Sequence, residues 1–242
     1  MTTDFSWLSR TALLTGDEKL KQLAQSHVMI VGLGGVGSYA AEFIARAGIG
    51  KMTIIDGDIV DPTNRNRQLP ALATTHGMHK ATIMAERIKA INPEVELTVI
   101  QEFINPEMVA ALFDTKPDYF IDAIDSVTPK ITFLVNALQK NIPTVSSMGA
   151  GGKFDPTKLM VADIGKTYNC VFAQQVRKVL KRQHQVYTGF KCVFSKEMPR
   201  KDSLIFTDGS NFKKSAYGTI SYLPATFGAV CASVVIRDLI GE

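Results

Sequence analysis

Two short runs near the start of the chain, His27-Val28-Met29-Ile30-Val31 and Met52-Thr53-Ile54-Ile55-Asp56, are apolar at nearly every position and too brief for helices. Runs of this kind predict parallel strands buried on both faces. Between them Val36, Ala40, Ala41, Ile44, Ala45 and Ala47 recur at helical spacing, and Gly48 and Gly50 follow. Small side chains on that stripe let the helix lie close on a sheet, and the glycines end it. The alternation then continues. Ala81, Met84, Ala85, Ile88 and Ile91 predict a helix that stops at Asn92-Pro93, ahead of a strand over 95–100. Asn105-Pro106 reads as an N-cap followed by proline at the first helical position, for a helix reaching about Phe113. A strand over 119–123, a helix over 128–140 and a strand over 143–147 come next. Past Gly149-Ala150-Gly151-Gly152 the period becomes irregular, with strands expected over 159–164, 190–194 and 217–223 and a terminal apolar helix over 225–236.

This order of elements predicts an α/β fold, a Rossmann-like doubly wound and mainly parallel sheet with a mixed, less regular C-terminal extension. A length of 242 residues, 45% of them hydrophobic, is ample for one core. We expect a single domain, with a nucleotide-binding core over about 25–152 and a substrate-facing extension over about 153–242. No run reaches the roughly 18 consecutive apolar residues of a membrane span. The first 16 residues lack the basic-then-apolar order of a signal peptide, so a cytoplasmic protein is expected.

Chemistry enters at the ends of the first two strands. Gly32-Leu33-Gly34-Gly35-Val36-Gly37 lies between a buried strand and a small-residue helix, where backbone N–H groups attract phosphate. One βαβ unit later Asp56 ends the second strand as a ribose acceptor. Asp58, Asn64, Arg67 and Gln68 then crowd the place where a dehydrogenase needs room for nicotinamide, a cluster that suits a polyphosphate. Asp58 and Asn64 also fit a plain role as loop formers. Arg67 and Lys80 lie on elements expected to return towards the glycine loop. Asp122 and Asp125 fall at the C-terminal end of a strand, the ligand-binding edge of such sheets. Asp125 is a candidate Mg2+ ligand beside a triphosphate, or else the cap of the following helix.

Three cysteines, Cys170, Cys192 and Cys231, are too few and too scattered for a disulfide framework or a Cys-x-x-Cys zinc site. Cys192 reads as a nucleophile, a sulfur carrier or a buried structural thiol. The net charge of +4 is uneven: residues 166–214 hold 11 Lys and Arg against 3 Asp and Glu, which is +8, leaving −4 elsewhere. Tyr168, Phe172, Tyr187 and Phe190 lie among Arg177, Lys178, Lys181, Arg182 and Lys191, so this segment is the candidate RNA surface, with a solvated charged face as the alternative.

Together the glycine loop, Asp56-x-Asp58, Asn64-x-x-Arg67-Gln68, Lys80 and Asp125 resemble the ubiquitin-activating-enzyme-like (ThiF/MoeB-type) adenylating superfamily. Residues 121–130, Gly149-Ala150-Gly151-Gly152, Asp155-Pro156-Thr157, Cys192-Val193-Phe194-Ser195 and Ala225-Thr226-Phe227-Gly228 resemble its tRNA threonylcarbamoyladenosine dehydratase branch. The resemblance implies ATP and Mg2+ as cofactors and a tRNA substrate whose threonyl carboxylate is activated and cyclised. It makes Gly32, Gly34, Gly35 and Gly37 the phosphate cradle and Asp56 the ribose ligand. Asp58, Asn64, Arg67, Gln68, Lys80, Asp125 and Ser126 become the remaining ATP contacts, with Asp125 on Mg2+. Catalysis would then rest on Arg67, Lys80, Asp125 and Arg10, the last reaching a partner's ATP across a homodimer. Two other readings are an activator of a ubiquitin-like sulfur carrier and a thiol-dependent partner of a cysteine desulfurase. The sulfur-carrier activators typically have two Cys-x-x-Cys pairs, absent from this sequence.

Overall fold

The computed structural model describes residues 6–206 and 215–242, so the end of the basic segment, 207–214, lies outside the described residues. One sheet contains β1 His27–Val31, β2 Lys51–Ile55, β3 Glu96–Ile100, β4 Tyr119–Asp122, β5 Thr144–Ser147, β6 Leu159–Asp163 and β7 Lys191–Ser195. Their spatial order is β3-β2-β1-β4-β5-β7-β6, and every pairing is parallel except β6 with β7. The fold is the expected Rossmann-like α/β arrangement. The winding direction reverses between β1 and β4, which opens a crevice at the carboxyl ends of those strands.

Both faces of the sheet are covered, and β1 shows it residue by residue. Val28 and Ile30 join Ala40, Ile44 and Phe227 in one cluster, whereas Met29 and Val31 join Phe113, Phe120 and Phe133 in another. Phe120 packs edge-on to Phe113 at 5.1 Å between ring centroids. On the first face lie α3 Gly37–Arg46, α4 Lys80–Ile91 and α8 Tyr222–Ile240; on the second, α5 Pro106–Asp114 and α6 Val127–Gln139. The Asn105 cap forms as expected, accepting from the Met108 N–H at 2.9 Å.

Two expectations are corrected. The strand expected over 217–223 is only β9 Ser215–Tyr217, paired with β8 Leu204–Phe206, and Tyr222 already belongs to α8. Pro224 falls in the first turn of α8, where a missing N–H is harmless. The terminal helix therefore has 19 residues and, by length and composition, passes as a membrane span. Its burial says otherwise: Leu223, Phe227, Cys231, Val234 and Val235 belong to the core, and a Cβ added at Gly228 would lie 2.4 Å from the Val36 carbonyl of α3. Such close approach explains why an interhelical contact needs glycine there. Missed altogether were α1 Ser9–Thr15, α2 Asp17–Gln25 and α7 Val171–Val179. The Ala173, Val176 and Leu180 stripe was the available signal for α7.

Candidate active site

The crevice between β1 and β4 is lined by the glycine loop on one side and residues 123–125 on the other. Gly32 has φ +88°, and a Cβ there would meet the Ala123 carbonyl at 2.8 Å; a Cβ on Gly37 would lie 1.7 Å from the Gly32 carbonyl. A side chain at either position closes the loop. The loop is tied to β2 by the Gly32 N–H, which donates to the Ile55 carbonyl at 2.9 Å.

Asp56, just past β2, organises the next layer. One carboxylate oxygen accepts from the Leu33 N–H at 2.5 Å and the other from the Asp58 N–H at 2.8 Å. Burial pushes this carboxyl up, opposed by Lys80 and by the two backbone donors. Lys80 opens α4, and its ammonium, with a side chain only 5% exposed, donates to Asp58 at 2.8 Å. Asn64 sits in the short helical turn Pro62–Asn66, where its side chain accepts from the Asp61 N–H at 3.2 Å and completes a capping box. That is the loop-forming role. Arg67 donates to the Thr63 carbonyl at 3.1 Å and to Asn66 Oδ1 at 2.8 Å. Burial lowers its pKa, and the Asp125 carboxylate, within electrostatic reach, opposes that shift. Gln68 faces Gly34, and its Oε1 is buried without a hydrogen-bond partner among the described residues.

Asp125 is exposed and immediately precedes Ser126, the residue that flanks the start of α6. Asp122 is not at the ligand edge in the chemical sense: it is wholly buried, 2.6 Å from the equally buried ammonium of Lys130. Ser146 donates to the same oxygen at 2.5 Å, and the Ile124 N–H to the other at 3.1 Å. Lys130 and Ser146 were missed because their partner lies on another element. Both hold Asp122, which in turn holds the Ile124 N–H one residue before Asp125.

Other residues lie apart from the crevice. Leu8, two residues before Arg10, packs on Gly48 at the end of α3 remote from the glycine loop. Arg10 itself is exposed. Arg177 and Lys178 end α7, and Lys181 and Arg182 occupy the π-helical turn Leu180–His184 that continues it. α7 starts beside Gly149 near the ligand edge, so these cations lie about 10 Å or more down the flank of the sheet. Lys191 begins β7 at the opposite edge and pairs with Asp238 at 2.6 Å. A cavity of about 510 Å3, lined by residues 113, 114, 116–118 and 140–143, also lies at that opposite edge, far from the glycine loop. Cys192 is fully buried beside Phe194 and Ile131, and burial raises its thiol pKa well above the ordinary value. Such a thiol stays protonated and is a poor nucleophile.

Comparison with known proteins places this geometry. The ThiF family profile matches residues 8–242. The tRNA threonylcarbamoyladenosine dehydratase of Escherichia coli is 39% identical, with 98% of this chain and 96% of that protein covered. A crystal structure of the E. coli enzyme in complex with ATP superposes with a TM-score of 0.90 at 38% identity, covering all of this chain and 97% of the other. An adenylyltransferase and sulfurtransferase of Candida glabrata is 31% identical but spans 62% of this chain and 35% of its own length. The chain belongs to the ThiF family, in the branch that holds the tRNA threonylcarbamoyladenosine dehydratases.

Proposed function

We propose that this protein uses ATP to activate the carboxylate of threonylcarbamoyladenosine in tRNA and closes a ring with net loss of water. The observation that carries the reading is end-to-end similarity to an E. coli dehydratase, coupled with a crevice built for a polyphosphate. The sulfur-carrier reading fits less well, because the relative of that kind matches only part of the chain.

A carboxylate is a poor electrophile. Attack of its oxygen on the α-phosphorus expels pyrophosphate, and an internal nucleophile of the modification then attacks the activated carbonyl, expelling AMP. The protein's contribution is alignment and charge. Asp56 is placed to accept from ribose hydroxyls, the loop N–H groups and Lys80 to meet phosphates, and Arg67 to steady the charge that develops between phosphate and carboxylate. The orphaned Gln68 Oε1 gains a donor from a bound nucleotide. Among the described residues no three His, Cys, Asp or Glu form a metal cage. Mg2+ ordinarily takes one or two carboxylates together with phosphate oxygens, so the exposed Asp125 fits it. The ion would neutralise phosphate charge. No protein nucleophile is needed, consistent with a buried, protonated Cys192. Calorimetry should show Mg·ATP binding; tight NAD binding without Mg·ATP binding would overturn the nucleotide assignment.

A homodimer completes the site in this reading. Arg10 begins far from its own glycine loop, and its helix exposes Leu13 and Leu14 at 89% and 86%. An apolar pair so exposed suits burial against a second copy. Mixing Arg10→Ala with Asp125→Ala, each inactive alone, should restore part of the activity, because one mixed site holds both wild-type residues. A fully active monomer in light scattering would contradict it.

The tRNA runs over the α7 flank. Lys178, Lys181 and Arg182 are exposed, and Lys181 lies over the Tyr187 ring at 5.6 Å. Neutralising Arg177, Lys178, Lys181 and Arg182 should make the fall of tRNA affinity with salt shallower, by up to about 0.9 in log–log slope per lost duplex-phosphate contact. An unchanged slope in a filter-binding titration would leave these as solvated charges. Lys191, held by Asp238 at the other edge, is excluded from that mutant.

A further inference from the structure

The turn that carries Arg67 is joined by a hydrogen bond from Asn66 to the Thr219 carbonyl in the wall of a second cavity, of about 290 Å3. Three segments enclose it, and backbone hydrogen bonds lock them together. The Arg200 N–H donates to the Gly152 carbonyl at 2.7 Å, the Gly152 N–H to Gly218 at 2.8 Å and the Gly218 N–H to Ser203 at 2.9 Å. Glu197 accepts from the Phe154 N–H at 3.1 Å and the Asp155 N–H at 2.8 Å, which fixes the backbone under Phe154.

On this frame the Arg200 guanidinium lies over the Phe154 ring, 4.7 Å from its centroid, and Phe154 is 44% exposed. An aromatic ring that stays open to solvent beside a guanidinium is a platform for a further flat group, and this is how proteins hold splayed RNA bases. Arg200 is the exposed cation of the lining, opposite Asp202, whereas Lys153 is buried and its ammonium donates to the Gly149 carbonyl at 2.9 Å.

The cavity is also coupled to the reacting end of the crevice. Asn66 donates to the carbonyl of Thr219, a lining residue, at 2.9 Å and accepts from Arg67 at 2.8 Å. One side chain therefore joins the cavity wall to the Arg67 guanidinium. Past Thr219 the chain enters α8, whose Pro224 lies 2.9 Å from where a Cβ on Gly35 would sit. A volume near the lower end of the roughly 300–1,000 Å3 of small-molecule sites suits a single base with its substituent rather than a folded partner.

We propose that this cavity receives the modified purine of the RNA substrate, with the base on the Phe154–Arg200 platform and its anionic substituent directed past Asn66 to Arg67. The assignment rests on the tRNA reading above. It separates two duties of the basic segment, with the α7 flank contacting phosphates and Arg200 contacting the base.

The test compares Phe154→Ala and Arg200→Ala with wild-type protein on threonylcarbamoyladenosine-containing tRNA, and titrates Mg·ATP in parallel to confirm an intact nucleotide crevice. KM for the tRNA should rise about 5- to 150-fold in Phe154→Ala, the loss expected of one base–aromatic stack, with Mg·ATP affinity retained. Arg200→Lys keeps the charge without the flat face and should recover only part of the loss. Wild-type KM in both alanine variants, or full recovery by lysine, would overturn the platform while leaving the activity assigned. An inactive wild-type protein would overturn the tRNA reading and the platform with it.

Discussion

Replacing Lys130 with methionine should destabilise the fold by about 3–5 kcal/mol, because it strands a buried carboxylate. Asp122 and Lys130 are both fully buried and 2.6 Å apart. Ser146 and the Ile124 N–H remain as donors, and neither neutralises the charge. The loss is a large share of the roughly 5–15 kcal/mol that holds a typical protein folded. In urea the midpoint should fall while the slope stays constant. Adding Asp122→Asn to Lys130→Met removes the stranded charge and should regain much of the loss. A Lys130→Met midpoint equal to wild type would show that the pair contributes nothing. The pair also has a functional reach, since Asp122 holds the Ile124 N–H and thereby the turn ending in Asp125.

Arg67→Ala should cost about 1.5–3 kcal/mol of transition-state stabilisation, the usual worth of a charge-assisted hydrogen bond. That is roughly 10- to 150-fold in kcat/KM on tRNA, read by steady-state kinetics. Arg67 is partly buried, anchored by the Thr63 carbonyl and Asn66, and within electrostatic reach of Asp125. Lysine at this position keeps the charge but loses the planar fork, so Arg67→Lys should fall well short of wild type. Wild-type kcat/KM in Arg67→Ala would remove this guanidinium from the chemistry.

The parts of this molecule that could be read from sequence are those whose signal is local. The β1 run, the α3 stripe and the glycine loop lie within one βαβ unit, and each appears where its pattern predicts. Asp56, Asp58, Arg67, Gln68, Lys80 and Asp125 do gather at one crevice, because a parallel sheet returns every strand to the same edge. What was not legible depends on pairing between distant elements. Lys130 looks like a surface lysine until β5 places Ser146 beside its partner. Tyr217-Gly218-Thr219-Ile220-Ser221-Tyr222-Leu223 has strand-like composition, but burial of Leu223 and Phe227 against α3 extends the helix into it. A count of charge over 166–214 could not distinguish the two edges of the sheet. It grouped Lys191, paired to Asp238 at one edge, with Arg200, which reaches the other.

Cyclisation is read most directly by incubating the purified protein with Mg·ATP and tRNA carrying threonylcarbamoyladenosine, then weighing the nucleosides by mass spectrometry. The expected nucleoside is lighter by one water, formed only with ATP and lost in Asp125→Ala. An unchanged nucleoside, from protein that binds Mg·ATP and instead adenylates the C-terminus of a ubiquitin-like sulfur carrier, would contradict it.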